Sequence, residues 1–336
     1  MPNPALSLFQ GPSLGAFRTC LLRWFHHHRR PLPWRRDTDP YRVWVSEIML
    51  QQTRVAAVLE HYRRFLQRFP TVEDLAHATP SSVLAAWSGL GYYRRARLLH
   101  QAARQIVRAG HFPETAEQWR QLPGIGRYTA AAIASIAFHQ PCAVVDGNVR
   151  RVLERILATP TASRKAYLPP ALQQCWEIAE KLLSRAHPGD FNQAMMELGA
   201  TICLPTAPKC EQCPVARWCA SHSRPNGLRT KAPKRHQQKV AYLLLTNSRK
   251  VYLVQRPPDA ALMPAMWELP TAKCNYAHSP ALLQLRHAIT NTDYRVTVRR
   301  GEIHDAGGGK WVSPIQASRL PLTGLTRKVL RRFGII

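Results

Sequence analysis

Leu122-Pro123-Gly124-Ile125-Gly126-Arg127 decides how the larger part of this chain is read. Two glycines at alternate positions stand just ahead of an alanine-rich segment that opens at Thr129. With no side chains to cover them, backbone N–H groups at a helix start stay open. Together with the helix dipole they can hold a phosphate oxygen. Two helices joined by such a turn make a helix–hairpin–helix, which grips DNA without reading a base. A tight helix-to-helix turn with no ligand is the competing reading. Arg127 and the charge of the whole chain tip the balance toward phosphate, with Gly124, Gly126 and Arg127 as its contacts.

On both sides of this turn the apolar spacing is helical, from Leu14 to about Ser221. Residues 41–69 read as one long helical pattern with Arg54, Arg63, Arg64 and Arg68 on its outer face. Thr71 and Thr79-Pro80 are helix-start signals. Further helices are expected over 81–88, 94–109, 115–121, 127–139, 149–157, 170–186 and 192–201. After the cysteines the character changes. Residues 223–238 are rich in Arg, Lys, Pro, Asn and Gly and carry no apolar face, which reads as a linker. Short β-like runs follow at 240–246, 251–255, 294–299 and 310–312, and a helix at 326–333. The expected architecture is multidomain: an all-α domain over 1–222, a basic linker over 223–239 and a C-terminal α+β domain over 240–336.

Charge narrows the partner. Lys and Arg number 47 against 20 Asp and Glu in 336 residues, a formal net charge of +27. The excess lies in both halves, as a polyanion-binding protein would have it, and nucleic acid is the commonest polyanion. A high-arginine proteome is the bland alternative. Hydrophobic residues make up 45%, too many for a disordered basic tail. The longest apolar run, 129–138, is about half of what a bilayer span requires. No leader pattern opens the chain, so we expect a soluble, cytoplasmic protein with no membrane partner.

Eight cysteines in a reducing compartment argue for metal over disulfides. Four cluster as Cys203-x6-Cys210-x2-Cys213-x5-Cys219, while Cys20, Cys142, Cys175 and Cys274 are scattered and read as small buried residues. Zinc sites pair two short knuckles, and only one pair here is that close. A single compact loop around one object favours an iron–sulfur cubane.

Two carboxylates could do chemistry. Glu47 is the odd residue in Val43-Trp44-Val45-Ser46-Glu47-Ile48-Met49-Leu50. Buried there, it would have a raised pKa and serve as a proton donor near neutral pH. On an exposed stripe it would be ordinary. Asp146, in Val144-Val145-Asp146-Gly147-Asn148-Val149, is delivered by an apolar run to a glycine turn. There it could cap the next helix, or stay ionised and stabilise a developing cation. Together they would form a pair with split roles. Tyr92 and Tyr93, beside Arg94 and Arg95 on a glycine-flexed turn, could wedge into a base stack or simply pack. Gln51 and Gln52 could be surface amides.

Several of these motifs occur together in one family. Ser46-Glu47-Ile48-Met49-Leu50-Gln51-Gln52-Thr53, Gly89-Leu90-Gly91-Tyr92-Tyr93, the glycine turn, Val145-Asp146-Gly147-Asn148-Val149 and Asn192-Gln193-Ala194-Met195-Met196-Glu197-Leu198-Gly199 resemble MutY-type adenine DNA glycosylases of the endonuclease III superfamily. The cysteine loop matches too. The likeness is strong over about 15–222 and weaker over 240–336. There Gln255-Arg256-Pro257 and Met266-Trp267-Glu268-Leu269-Pro270 resemble the family's Nudix-related domain.

The resemblance implies removal of adenine mispaired with 8-oxoguanine or guanine in double-stranded DNA, by a monomer carrying a [4Fe-4S] cluster on Cys203, Cys210, Cys213 and Cys219. It implies that Glu47 protonates the flipped adenine, that Asp146 stabilises the sugar cation and that Asn148 supports the site. Tyr128 falls where bifunctional relatives carry a lysine, so little or no strand cleavage is expected. Gln52, Leu90 and Tyr92 match positions that enter the duplex, and Trp34 and Arg35 a segment near the adenine pocket. Two departures stand out. No glutamate-rich hydrolase box is present, so pyrophosphate hydrolysis is not expected. The lesion-contacting Phe-Ser-His of the family is replaced by Ile289-Thr290-Asn291. A pyrimidine-lesion glycosylase and a non-catalytic DNA-binding protein are the rival readings. Tyr128 argues against the first, and the pairing of Glu47 with Asp146 argues against the second.

Overall fold

The structure is a computed structural model that describes residues 11–157, 159–160, 167–168, 171–222, 235–272, 280–289, 291–302 and 308–336. The chain forms two compact units. One comprises Met1–Gln52 and Gln105–Lys231, and the other Thr53–Arg104 and Ala232–Ile336. No described helix is long and apolar enough to cross a membrane.

The helices in chain order are α1 (Pro12–His28), α2 (Pro40–Leu50), α3 (Val55–Arg68), α4 (Val72–His77), α5 (Pro80–Trp87), α6 (Arg94–Ala109), α7 (Ala116–Trp119), α8 (Arg127–Phe138), α9 (Gly147–Ile156), α10 (Leu172–Leu182) and α11 (Pro188–Thr201). One pair of two-residue strands, β1 (Thr159–Pro160) and β2 (Tyr167–Leu168), interrupts them. The single helix expected over 41–69 is in fact two. Gln51 is extended and Gln52 takes φ 55°, a left-handed conformation that no helix tolerates, so α2 ends and α3 restarts at Val55. Thr71 and Thr79 cap α4 and α5 through their hydroxyls, as the sequence suggests. α11 begins at Pro188, earlier than expected, because proline suits the first helical position.

In the first unit α11 packs against α1, α8 and α9, and α2 packs against α8. The alanines Ala130, Ala131, Ala132 and Ala134 of α8 permit that approach and are buried. At Gly199 of α11 contact is closest: a Cβ there would sit 2.6 Å from the Asn148 Cβ and 2.9 Å from its carbonyl oxygen. Gly199→Ala is therefore expected to cost about 1–3 kcal/mol in urea unfolding, the usual penalty of overpacking. An unchanged midpoint would show that α9 gives way freely.

The second unit joins α3–α5 and most of α6 to the C-terminal residues. Strands β3 (His236–Leu244), β8 (Thr292–Arg300) and β7 (Ala281–Ile289) form one sheet, with β3 and β8 parallel and β7 and β8 antiparallel. Strands β4 (Thr246–Asn247), β5 (Lys250–Gln255), β6 (Trp267–Glu268) and β9 (Gly309–Val312) form another. With α12 (Pro314–Arg319) and α13 (Gly324–Arg332) they enclose a core built on Leu244, Leu253, Val296, Val298, Leu322 and Val329.

Two expectations are corrected in this unit, and a third is placed. β3 begins at His236, inside the expected linker, because the backbone of its first four residues pairs in register with β8 while their side chains stay exposed. The rest of that linker, 223–234, lies outside the described residues, as does Cys274. β7 was not foreseen: its charged and amide residues alternate outward and mask the strand. Ile289 is the last residue of β7 and Asn291 sits in the turn to β8, so the expected recognition loop is a hairpin end. Thr290 lies outside the described residues.

The Gly89–Tyr93 turn is anchored within this unit. Ser88 Oγ donates to the Leu322 carbonyl at 2.8 Å and accepts from Arg327 Nε at 2.9 Å, while Tyr93 OH donates to Leu322 at 3.2 Å. Arg97 donates to the Pro264 carbonyl. Tyr93 is thus a buried anchor, and Tyr92 is the exposed partner at φ 48°.

Candidate active site

Glu47 stands on α2 with its side chain buried, facing the first turn of α8. The Tyr128 hydroxyl donates to Glu47 Oε2 at 2.9 Å and lies 3.1 Å from Met196 Sδ. Burial pushes the Glu47 carboxyl up to about 7, assisted by the nearby Asp146 charge and opposed by the Tyr128 hydrogen bond and by Arg35. Burial beside these carboxylates also lifts the Tyr128 phenol well above its ordinary range. Tyr128 thus serves Glu47 as a hydrogen-bond donor.

Asp146 is the N-cap of α9. Its Oδ1 accepts from Val149 N at 2.7 Å and its Oδ2 from Asn148 Nδ2 at 3.0 Å. Burial pushes this carboxyl up, while the hydrogen bonds and Arg151 pull it back. The structure thus makes this half-buried group the cap of α9.

Residues that sequence reasoning gave no role complete the site. Glu197 on α11 is buried and takes Arg30 Nε at 2.7 Å, Arg30 Nη2 at 2.8 Å and Arg35 Nη2 at 2.9 Å. Burial alone would lift Glu197, but the two guanidiniums win and hold it below the usual carboxylate range. Arg35 is thus committed to Glu197, beside a buried Trp34. Arg151 Nη2 donates to Asn148 Oδ1 at 2.8 Å and to the Gly199 carbonyl at 2.7 Å, and its Nε to the Cys203 carbonyl at 2.8 Å. One turn on, Arg155 Nη1 reaches Cys203 Sγ at 3.1 Å and the Leu204 carbonyl at 2.7 Å. A signal existed: Arg151 and Arg155 are four apart on a helix whose opposite face is apolar.

Cys203, Cys210, Cys213 and Cys219 line one cavity, roofed by Arg155, Ile202, Ala216 and Ser221. Among the described residues no three His, Cys, Asp or Glu side chains are gathered to hold a single metal ion. The other described cysteines form no disulfide. Cys175 is buried and Cys20 and Cys142 half-buried.

The glycine turn joins α7 to α8. Gly124 takes φ 80°, a conformation that favours glycine, and Gly126 is the N-cap of α8 with no side chain to cap it, leaving the first N–H groups open. Arg127 is exposed, with its guanidinium 3.9 Å above the Trp176 ring. Of the other expected DNA contacts, Gln52 and Tyr92 are exposed, and Leu90 is buried, only 6% exposed.

Residues 45–177, which carry the buried carboxyl, the aspartate cap and the open glycine turn, match the HhH-GPD superfamily base excision DNA repair protein. A thermostable thymine-DNA glycosylase is similar over 63% of this chain and 97% of its own, at 31% identity and a TM-score of 0.56. An endonuclease III–DNA complex shares the fold over the same span, at 20% identity and a TM-score of 0.52. Adenine DNA glycosylase of Rattus norvegicus is 50% identical over 220 residues, which is 62% of this chain and 42% of that protein. The chain thus spans less than half the length of this mammalian relative. Adenine DNA glycosylases of Buchnera aphidicola and Schizosaccharomyces pombe are 37% and 32% identical, each covered over 69% of its length. The chain belongs to the adenine DNA glycosylase family.

Proposed function

We propose that this chain hydrolyses the N-glycosidic bond of adenine mispaired with 8-oxoguanine or guanine in duplex DNA, leaving an abasic site. The observation that carries it is a buried Glu47 whose proton is retained to about pH 7, set near an Asp146 held by hydrogen bonds. Neutral Glu47 donates its proton to a ring nitrogen of the extruded base, which turns adenine into a leaving group. The carboxylate of Asp146 stabilises the positive charge that grows on the sugar as the bond breaks. Water then adds at the sugar carbon and yields its proton to a carboxylate, which restores the acid for the next turnover. Tyr128 holds Glu47 in place and offers no amine for a Schiff base, which supports a glycosylase with little or no strand-cleaving activity.

The four thiols fit a [4Fe-4S] cluster. They ring a cavity, whereas a lone zinc ion draws four sulfurs to about 2.3 Å from one point. When bound, such a group would order the 203–219 loop and bring redox capacity. The C-terminal strands and helices serve as a Nudix-related lesion-sensing domain in this reading. Its two family-like motifs are joined by the Arg256–Glu268 ion pair at 2.6 Å. Cys213→Ser is expected to abolish the brown visible absorption of the purified protein. A colourless, zinc-loaded wild type would overturn the cluster assignment.

Single-turnover adenine release tests the function, using duplexes with A opposite 8-oxoguanine, G or T and counting breaks before and after alkali. Release from the first two, with breaks only after alkali, is expected. Tight binding without release would favour the non-catalytic reading, and cleavage of thymine-glycol duplex the pyrimidine-lesion one.

A further inference from the structure

Three basic side chains meet in one cross-strand row of the C-terminal sheet. Lys239 of β3 is in register with Arg295 of β8, and Arg295 with Arg286 of β7. All three are exposed. Strand alternation fixes their side. Leu244, Val296 and Val298 enter the main core, with Leu283 and Leu285 packed against it. Lys239, Arg295 and Arg286 have the opposite parity on their strands, so they share the outer face. The small apolar cluster around Leu243 and Leu245 covers only the far end of that face.

Such a row opposes folding. Neighbouring strands lie about 4.8 Å apart, and like charges directly opposite each other are destabilising. Gln237 Oε1 accepts from Arg295 at 3.4 Å, and no described carboxylate pairs with any of the three. The nearby Asp293 is engaged by Arg235 at 2.8 Å. The face is also hollow there. Arg286, Arg295, Gln237, Ala288 and Asp293 line an open cavity of about 290 Å³. A concave, polar surface with uncompensated positive charge is built for a polyanion.

We infer that the outer face of this sheet docks the phosphate backbone of duplex DNA through Lys239, Arg295 and Arg286, as a second footprint beyond the glycine turn. Each cation contacts a phosphate, reads no base and displaces condensed counterions. The inference rests on the DNA-repair reading above, and charge complementarity selects nucleic acid over an apolar partner.

The test uses the full chain and an undamaged duplex, with affinity measured from about 50 to 200 mM salt. The K239Q/R286Q/R295Q variant loses three contacts at about 0.9 each, so its log–log salt slope should be shallower by about 2–3. A control, R319Q/R331Q/R332Q, removes the same charge from exposed helix positions of the same unit. It should shift the slope by less than half as much. Single-turnover adenine release at saturating protein should match wild type in the control variant. An unchanged slope in the first variant overturns the proposal and points to an acidic protein segment as occupant. Equal slopes in the two variants overturn it as well, leaving only a general field. Wild type that fails to bind duplex at all overturns the repair reading together with it.

Discussion

Glu47→Gln is expected to bind duplex DNA like the parent and to release adenine about 10²–10⁴-fold more slowly, the usual worth of a positioned general acid. Glutamine keeps the shape and can still accept from Tyr128, so the loss isolates the proton. The same burial that makes Glu47 an acid has a cost that pH reveals. Its carboxyl titrates at about 7 in the folded chain against an ordinary 4.5, so the folded state holds the proton more tightly than the unfolded one. Stability contributed by this group is full below pH 4.5, falls as pH rises and levels off above about 7. Glutamine carries no such penalty. The variant should therefore melt higher than wild type well above pH 7, with the gap closing as pH drops toward 4.5. Wild-type release should itself slow as pH rises through about 7. Turnover equal to wild type, or a melting difference independent of pH, would sink the acid assignment.

Glu197 explains why one buried carboxyl titrates high and the other low. Both lie in apolar helices, but Glu197 receives two guanidiniums and Glu47 only a phenol. In the low-dielectric interior two charge-assisted partners outweigh desolvation, and one neutral hydrogen bond does not. Arg30 and Arg35 are drawn off by Glu197, which leaves Glu47 without a direct cation. Part of this was legible beforehand. Glu47 was readable because a carboxylate in Trp44–Leu50 breaks an apolar pattern. Glu197, in Met195-Met196-Glu197-Leu198, breaks one just as plainly, yet its arginine partners lie 167 and 162 residues away, beyond any local rule. The helices around the glycine turn followed from spacing and caps. The break at Gln51–Arg54 did not, because no glycine or proline marks it. β7 was hidden because Leu283, Leu285 and Ile289 alternate with the exposed Leu282, Gln284, Arg286 and Ala288, a mixed outer face over a stretch that also reads as a loop. Nor did the sequence reveal that 53–104 clusters with the C-terminal residues, since the bonds from Ser88 and Tyr93 end on a backbone carbonyl at Leu322.

Asp146 poses the sharpest choice, because its position as an N-cap gives it a purely structural occupation. Asparagine and serine cap helices about as well as aspartate. Asp146→Asn and Asp146→Ser should each keep a bond to Val149 N and melt close to wild type. Neither carries a negative charge, so adenine release should fall by about 10²–10³-fold or more, as when one preorganised electrostatic partner of a transition state is removed. Two variants are needed because the asparagine amide would set its NH₂ against Asn148 Nδ2. Relieving that clash by turning Asn148 would cost the bond from Arg151. Serine has no such conflict. If Asp146→Ser melts like wild type and is inactive, the charge is the function and the cap is its mounting. If it melts like wild type and is active, Asp146 is a cap alone and the cation must be stabilised elsewhere. A wild-type melting point with activity lost only in the asparagine variant would place the fault at Asn148, on the route through Arg151 to the cysteine loop.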